Sequence, residues 1–180
     1  LDGLNIQFVK GDIRDKDLVE ELALGSNGIF HLAALVSVPE SLLRIDECID
    51  INTIGTINIL EAAKKNNGCK VVLSSSAANY GNNSVLPKVE TMIPEPMTPY
   101  AISKLDGELY LKMYQDQWNV PTASLRYFNV FGPRQNPQSA YAAAVPIFIN
   151  KALQNHPITI YGDGSQTRDF IYVKDVVKAN

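Results

Sequence analysis

The sequence KVVLSSS at residues 70–76 and the sequence TPYAISK at residues 98–104 decide the fold. The apolar run followed by three serines predicts a short buried strand that ends in hydroxyl groups. Thr98 and Pro99 are a hydroxyl N-cap and a proline at the first helical position, which predict a helix from Pro99 to about Trp118. A buried strand followed by a helix is the repeating unit of a parallel α/β sheet.

This helix carries two reactive side chains on one face, because Tyr100 and Lys104 are one helical turn apart. We expect both to meet Ser76 at the carboxyl edge of the sheet. To act as a base near neutrality, Tyr100 needs its pKa lowered by about three units, or about 4 kcal/mol. A cation about 4 Å away in a partly buried site can supply on that order. We therefore predict that Lys104 lowers the Tyr100 pKa; the alternative is a packed tyrosine beside a solvated lysine.

Four further motifs accompany these stretches in one order along nearly the whole chain. They are GDIRD (11–15), HLAA (31–34), RYFNVFGPR (126–134) and RDF (168–170). Together with SSSAANYG (74–81) and PYAISK (99–104), they resemble the extended short-chain dehydrogenase/reductase family, specifically its UDP-glucose and UDP-N-acetylglucosamine 4-epimerase branch. The resemblance implies an α/β fold with a Rossmann-like doubly wound parallel sheet, NAD as cofactor, a UDP-sugar substrate and a homodimer.

The same resemblance implies roles for individual residues of this sequence. The catalytic residues would be Ser76, Tyr100 and Lys104. The cofactor-binding residues would be Asp12, Ile13, Leu32, Ala33, Ala34, Ser74, Tyr100, Lys104 and Tyr127. The substrate-binding residues would be Ser37, Ser76, Asn129, Val145 and Arg168. No metal is implied.

Several of these polar residues also have a purely structural interpretation. Asp12 either meets the adenine or caps the helix predicted from Lys16, and Ser37 either reaches the sugar or caps a helix. We interpret His31 as a core histidine with a satisfied ring. Asn52 lies in an otherwise apolar helix, where a buried amide needs partners, and it would orient the cofactor loop.

Asn129 and Arg168, which the resemblance implies for binding the diphosphate, also have a structural alternative. The Asn129 carboxamide either donates to a phosphate oxygen or belongs to a turn. The Arg168 guanidinium either binds the diphosphate as a bidentate donor or pairs with Asp169 or Asp175.

The residues after the strand-end serine discriminate between reactions. Dehydratases and decarboxylases of the resembling family carry acidic residues there, whereas this chain has Ala77 and Ala78. This difference favours 4-epimerisation through a 4-keto intermediate, with Tyr100 as the base, Ser76 sharing the proton and Lys104 binding the nicotinamide ribose. The alternatives are another nucleotide-sugar dehydrogenase or reductase of the family, or a catalytically silent NAD-binding protein.

Hydrophobic periodicity gives the expected order of elements. Strands are predicted at 6–9, 28–33, 70–74 and 122–127, with shorter ones near 158–160 and 170–172. Helices are predicted at 16–24, 45–66, 99–118 and about 141–154, and from about 174. We expect a partial NAD-binding Rossmann domain over residues 1–132, followed by a mixed segment over 133–180 that begins the substrate-binding region and contributes a returning strand.

The composition and charge of the chain argue against several classes of function. The chain has 180 residues, a formal charge of −3 and no basic cluster, so nucleic acid is not an expected partner. Cys48 and Cys69 lack a metal-binding or disulfide spacing and are predicted to be reduced thiols. No apolar run has membrane-spanning length and no signal peptide is visible, so we expect a cytoplasmic protein without a membrane partner.

One expected motif is missing. A dinucleotide fold begins with a strand, a glycine-rich turn and a helix whose N-terminus holds the pyrophosphate, and the glycines at 25 and 28 lead into a strand instead. We therefore expect the chain to be a fragment that lacks the first β-α-β unit and the C-terminal part of the substrate domain.

Overall fold

The computed structural model describes residues 3–138 and 144–180. The strands are β1 (Gly28–His31), β2 (Lys70–Ser76), β3 (Thr122–Tyr127), β4 (Asn129–Phe131) and β5 (Phe170–Tyr172). The α-helices are α1 (Lys16–Ala23), α2 (Val38–Leu43), α3 (Ile45–Ile49), α4 (Gly55–Lys65), α5 (Pro99–Trp118), α6 (Ala144–Leu153) and α7 (Val173–Ala179). A π-helical turn covers Asp50–Ile54 and a 3₁₀ turn covers Ala77–Tyr80.

Two parallel sheets organise these elements. The larger sheet has the order β1-β2-β3, and the smaller one pairs β4 with β5. Helices α2 to α4 connect β1 to β2, and α5 connects β2 to β3, as parallel strands require. The predicted Rossmann-like α/β fold with a parallel sheet is confirmed.

Close packing of α5 against β2 determines where the reactive side chains lie. Leu73 of β2 and Leu111 of α5 are almost fully buried, with 2% and 1% of their surface exposed. Between them Gly107 allows the close approach, because a Cβ atom there would lie 2.8 Å from Leu73 Cδ2. The N-terminal half of α5 therefore lies over the carboxyl end of β2.

The predicted helix over residues 45–66 is interrupted rather than uniform. Helix α3 passes through the π turn Asp50–Ile54 directly into α4. Thr56 Oγ1 donates to the Asn52 carbonyl oxygen at 2.5 Å inside this region. Hydrophobic spacing cannot reveal such a turn because the apolar residues before and after it keep a helical periodicity. Single π turns of this kind are frequent at functional sites.

The strands predicted at 6–9 and 158–160 were wrong. Both segments are irregular, and their apolar side chains are largely exposed, with Phe8 at 74% and Ile160 at 64%. A strand requires a neighbour that takes its backbone hydrogen bonds, and in residues 3–138 and 144–180 neither segment is paired with one.

The remaining predicted elements agree with the structure except at their ends. Helix α6 is described from Ala144, and the predicted start of that helix, at 141–143, lies outside the described residues. Strand β4 (Asn129–Phe131) was not predicted from the sequence. In the described part of the chain, no helix is long and apolar enough to cross a membrane.

Candidate active site

A buried lysine stands at the carboxyl end of β2. Lys104 has only 5% of its surface exposed, and its Nζ donates to the Ser74 carbonyl oxygen at 2.9 Å. The same Nζ lies 5.9 Å from the centre of the Tyr100 ring. Burial disfavours the charged ammonium and lowers the pKa of Lys104 to about 8.

Ser76 and Tyr100 complete the group. Ser76 ends β2 and caps the following 3₁₀ turn, where its Oγ accepts from the Ala78 amide at 3.1 Å. Burial raises the pKa of Tyr100, while a hydrogen bond with Ser76 acts in the opposite direction. The structure therefore brings the strand-end hydroxyl, the phenol and the ammonium together, as the sequence predicted.

The predicted lowering of the Tyr100 pKa was wrong for the chain alone. The pKa of Tyr100 lies above its usual value because burial outweighs the hydrogen bond from Ser76. The Lys104 ammonium is directed at the Ser74 carbonyl oxygen rather than at the phenol oxygen. The side chains of the chain alone do not produce a phenolate near neutrality.

The loop that follows β1 is held in place by Asn52, which bonds to the backbone of Leu35. Asn52 accepts from the Leu35 amide at 2.7 Å and donates to the Leu35 carbonyl oxygen at 3.1 Å. Its Nδ2 also lies 2.9 Å from Ser103 Oγ, which in turn donates to the Tyr100 carbonyl oxygen at 2.8 Å. Asn52 thus connects the loop to the start of α5 and satisfies its own buried amide, as predicted.

The residues of that loop have the exposure that a ligand requires. Leu32 and Ala33 are exposed and Ala34 is half-buried at the carboxyl end of β1. His31, by contrast, is 3% exposed and its Nε2 lies 2.9 Å from Thr56 Oγ1. The interpretation of His31 as a core histidine is confirmed.

Ser37 and Ser41 join helix α2 to the same region. Ser37 Oγ accepts from the Glu40 amide at 3.1 Å, so the capping interpretation of Ser37 is confirmed. Ser41 Oγ accepts from the Tyr100 amide at 3.2 Å, which ties α2 to the first turn of α5.

The loop containing Asp12 and Ile13 lies on the outside of α4. Asp12 is paired with Arg14 at 2.6 Å, and the hydrogen bonds from Arg14 lower the pKa of the Asp12 carboxyl to about 2. Asn58 Nδ2 donates to the Ile13 carbonyl oxygen at 3.0 Å and holds the loop on the helix. Asp15, not Asp12, caps α1, so the capping alternative for Asp12 was wrong.

Asn129 begins β4, and Arg168 lies two residues before β5, which pairs with β4 in the smaller sheet. Asn129 Nδ2 donates to the Asp169 carbonyl oxygen at 3.0 Å. The exposed Arg168 donates to the Thr167 carbonyl oxygen at 2.8 Å and to Gln166 Oε1 at 3.2 Å rather than pairing with an acidic neighbour. Its guanidinium lines a cleft of about 520 Å³.

This cleft contains residues that the sequence analysis missed and omits one that it proposed. Lys151 and the 82% exposed Tyr161 line it beside Arg168, which adds a second cation and an aromatic face. Val145 lines a separate cleft of about 490 Å³ and does not share the Arg168 cleft. The helical spacing of Ala144, Ile147 and Lys151 could have indicated which face of α6 accompanies Arg168.

Tyr127 and Ser74 were both expected to bind the cofactor. In this structure, they make hydrogen bonds within the protein. The Tyr127 hydroxyl lies 2.8 Å from Asn180 Oδ1 and 2.6 Å from Asn180 Nδ2 at the end of α7. Ser74 offers its carbonyl oxygen to Lys104.

A partly buried ionic cluster next to the candidate site was also missed. Glu108 of α5 and Arg126 of β3 form a bidentate pair, with distances of 2.9 and 2.7 Å. Ser75 and Asn79 donate to the same carboxylate at 2.5 and 2.9 Å. The spacing of Glu108, four residues after Lys104 on the same helical face, indicates that its carboxylate lies near the strand end but does not indicate its pairing with Arg126.

A parallel α/β sheet whose strand end gathers a serine, a tyrosine and a buried lysine is the arrangement that the resemblance to the extended short-chain dehydrogenase/reductase family implies. The model of the NAD dependent epimerase/dehydratase family matches residues 2–180, and the chain belongs to this family.

Individual relatives agree with this assignment. The chain is 41% identical, over 96% of its length and 56% of the relative's, to UDP-glucose 4-epimerase of Mycolicibacterium smegmatis. The structure of UDP-N-acetylglucosamine 4-epimerase from Methanobrevibacter ruminantium M1, in complex with UDP-N-acetylmuramic acid, has a TM-score of 0.94 and 43% identity, over 99% of this chain and 57% of that one. UDP-glucose 4-epimerase of Thermotoga maritima with UDP-glucose has a TM-score of 0.93 and 37% identity, over 98% and 58%.

The chain therefore spans little more than half the length of the curated relatives it matches, 57% and 56% for two of them.

Proposed function

We propose that the whole protein containing this chain catalyses NAD-dependent 4-epimerisation of a UDP-hexose, either the UDP-glucose/UDP-galactose pair or the corresponding N-acetylhexosamine pair, through a 4-keto intermediate. The observation that carries the proposal is the convergence of Ser76, Tyr100 and the buried Lys104 at the carboxyl end of β2. The names of the similar epimerases support the substrate class.

The residues present fit the nicotinamide half of NAD. Small residues at Ala33 and Ala34 leave room for a flat ring beside the strand end, and Lys104 offers donors to a ribose. Asp12 and Ile13, held on α4 by Asn58, would meet the adenine. Leu32, Ser74 and Tyr127 complete the proposed cofactor set. When bound, NAD⁺ supplies a hydride acceptor that later returns the hydride, and its positive ring favours a nearby phenolate.

The chain's own residues would move the proton. Tyr100 as phenolate removes the proton of the sugar 4-hydroxyl, and Ser76, hydrogen-bonded to Tyr100, shares that proton. Lys104 provides positive charge that stabilises the phenolate. The ketone then presents its other face while the diphosphate remains bound, and the proton returns from Tyr100 to the oxygen.

The cleft at Arg168 would bind the nucleotide part of the substrate. Arg168 and Lys151 supply two cations for a diphosphate, and Tyr161 offers an aromatic face to a base. Asn129, whose Nδ2 donates to the Asp169 carbonyl oxygen, is the proposed amide donor to the same diphosphate. We propose Ser37 as the contact to the sugar, since its loop packs beside the start of α5. Val145 remains a proposed substrate residue, although it lines a separate cleft.

The domain division and the assembly are proposals as well. We propose an NAD-binding domain over 1–132 and the start of the substrate-binding region over 133–180; the β4–β5 pair spans that boundary. A homodimer is supported by an exposed apolar stripe on α5, formed by Ile102, Leu109 and Met113 at helical spacing. The cytoplasm is the proposed compartment, because Cys48 and Cys69 are both free thiols.

The decisive experiment supplies the whole protein with UDP-glucose and, separately, with UDP-N-acetylglucosamine. We expect the galacto-epimer to form without accumulation of NADH. The Tyr100→Phe variant should bind NAD but lose turnover. Steady NADH production would favour a dehydrogenase, and cofactor binding without conversion of either sugar would favour a silent NAD-binding protein.

A further inference from the structure

A partly buried cluster beside the strand-end serine is arranged around one carboxylate, that of Glu108, whose side chain is 14% exposed. Glu108 Oε1 accepts from Ser75 Oγ at 2.5 Å, from Asn79 Nδ2 at 2.9 Å and from Arg126 Nε at 2.9 Å. Its second oxygen accepts from Arg126 Nη2 at 2.7 Å. Ser75 and Asn79 lie on either side of Ser76, so a single carboxylate oxygen bridges the two ends of the turn that contains Ser76.

The strand geometry explains why Ser75 and Ser76 have different partners. Successive side chains of a strand point to opposite faces, so Ser75 is 3% exposed and faces the carboxylate while Ser76 is half-buried beside Tyr100. Ser75 is also paired in register with Arg126 of β3. The ion pair therefore connects β2, β3 and α5 at the residue that immediately precedes Ser76.

Charge keeps this cluster together. Burial raises the pKa of Glu108, but the hydrogen bonds from Arg126 and Ser75 outweigh it and hold the pKa below its usual value, so the carboxylate stays ionised. Asn79 is fully buried and directs its Nδ2 toward Glu108, while its Oδ1 lacks a hydrogen-bond partner within the described residues.

We propose that Glu108, held by Arg126, is a positioning residue that fixes Ser76 through Ser75 and Asn79. Helix α5 then contacts β2 at two successive residues, because Lys104 binds the Ser74 carbonyl oxygen and Glu108 binds the Ser75 hydroxyl. These two contacts determine how close α5 lies to the end of β2. They therefore also determine the distance between Tyr100, which is on α5, and Ser76, which ends β2. The effect on catalysis rests on the proposed function, whereas the effect on the turn does not.

The test removes one arm of the bridge and leaves the ion pair intact. Ser75→Ala and, separately, Asn79→Ala each delete one hydrogen bond to Glu108 in the whole protein, and each also removes the hydrogen bond that Asn79 Nδ2 donates to Ser75 Oγ at 3.2 Å. Tyr114→Phe is the matched control. Tyr114 of α5 is as buried as Ser75, with 4% and 3% of their surfaces exposed, and its hydroxyl donates to a different carboxylate, that of Glu61, at 2.5 Å. Amide hydrogen exchange of residues 76–80 and steady-state epimerase kinetics are measured for all three variants.

We expect faster amide exchange at Ala78 in both Ser75→Ala and Asn79→Ala, together with a kcat lower by about 10-fold or more at unchanged KM and NAD content. Tyr114→Phe should change neither the exchange of this turn nor kcat. Exchange at Ala78 equal to that of Tyr114→Phe would overturn the proposal whether or not the protein is active. Faster exchange with wild-type kcat would also overturn it. A wild-type protein without turnover would refute the proposed function instead, and the exchange data would still decide whether Glu108 fixes the turn.

Discussion

The Lys104 ammonium donates to the Ser74 carbonyl oxygen at 2.9 Å while lying 5.9 Å from the centre of the Tyr100 ring. The lysine is thus held by the strand end, not by the phenol. Burial lowers its pKa to about 8, so the side chain loses its positive charge closer to neutrality than an exposed lysine does.

Replacing Lys104 with Met should reduce kcat by about 100-fold or more, because it removes the cation that we propose stabilises a Tyr100 phenolate and binds the ribose. Lys112→Met is the control, since Lys112 is on the same helix and is exposed beside Asp116. Kinetics of both variants at saturating substrate would test the prediction. Equal activity of Lys104→Met and Lys112→Met would remove Lys104 from the mechanism.

His31 makes stability depend on pH. Burial and, secondarily, the charge of Lys104 lower the pKa of His31 to about 4, below its usual value of 6.5. The unfolded chain therefore binds a proton between these values while the folded chain does not, so the stability present above pH 6.5 decreases as the pH falls toward 4. The difference corresponds to about 3 kcal/mol in the free energy of unfolding.

We expect the variant His31→Gln to lose this contribution to the pH dependence. Urea unfolding of wild type and variant at pH 7.5, 6 and 4.5 would measure it. The free energy of unfolding of the wild type should fall more steeply with decreasing pH than that of His31→Gln. Parallel curves would show that the imidazole is not kept neutral by its surroundings.

Asn52 should control cofactor retention. In the Asn52→Ala variant the buried Leu35 amide and carbonyl oxygen lose their partner, which costs about 1–3 kcal/mol and releases the loop after β1. We expect lower NAD content and a higher Kd for NAD. Asn66→Ala is the matched control, because Asn66 similarly donates to the Ala23 and Ser26 carbonyl oxygens at 2.8 Å without contacting that loop. If both variants retain NAD equally, Asn52 only supports the fold.

Local signals were enough to predict the elements that carry the candidate site. Helix α5 begins at Pro99 after the Thr98 cap and ends at Trp118 as predicted, because capping and composition act within a few residues. The predicted strands at 6–9 and 158–160 failed because strand formation depends on a partner elsewhere in the chain. The convergence of Ser76, Tyr100 and Lys104 was predicted because it needs only one strand end and one helical turn.

Interactions that depend on tertiary register could not be predicted in the same way. The Glu108–Arg126 pair requires β3 to place Arg126 opposite Ser75, and no spacing in the sequence contains that register. The pKa of Tyr100 was predicted with the wrong sign because the sequence gives the distance along the helix to Lys104 but not the burial of the phenol.

Gly81 follows the 3₁₀ turn and begins the long irregular connection to α5. Its backbone has φ 56° and ψ −134°, and an added Cβ atom would overlap the Glu95 carbonyl oxygen. Gly68 also has a positive φ, 85°, but nothing lies within 4 Å of its added Cβ. Comparison of the two positions separates backbone strain from steric overlap.

Gly68→Ala should cost about 1–2 kcal/mol, the price of a left-handed conformation for an L-residue. Gly81→Ala carries that cost as well, and it must also displace residue 95, whose amide donates to the Asn79 carbonyl oxygen at 2.8 Å. Thermal unfolding should therefore show a clearly larger loss for Gly81→Ala, and because Asn79 lies in the turn that Ser76 caps, kcat should fall in this variant alone. Equal losses of stability in the two variants would mean that the connection moves aside freely and does not support the turn.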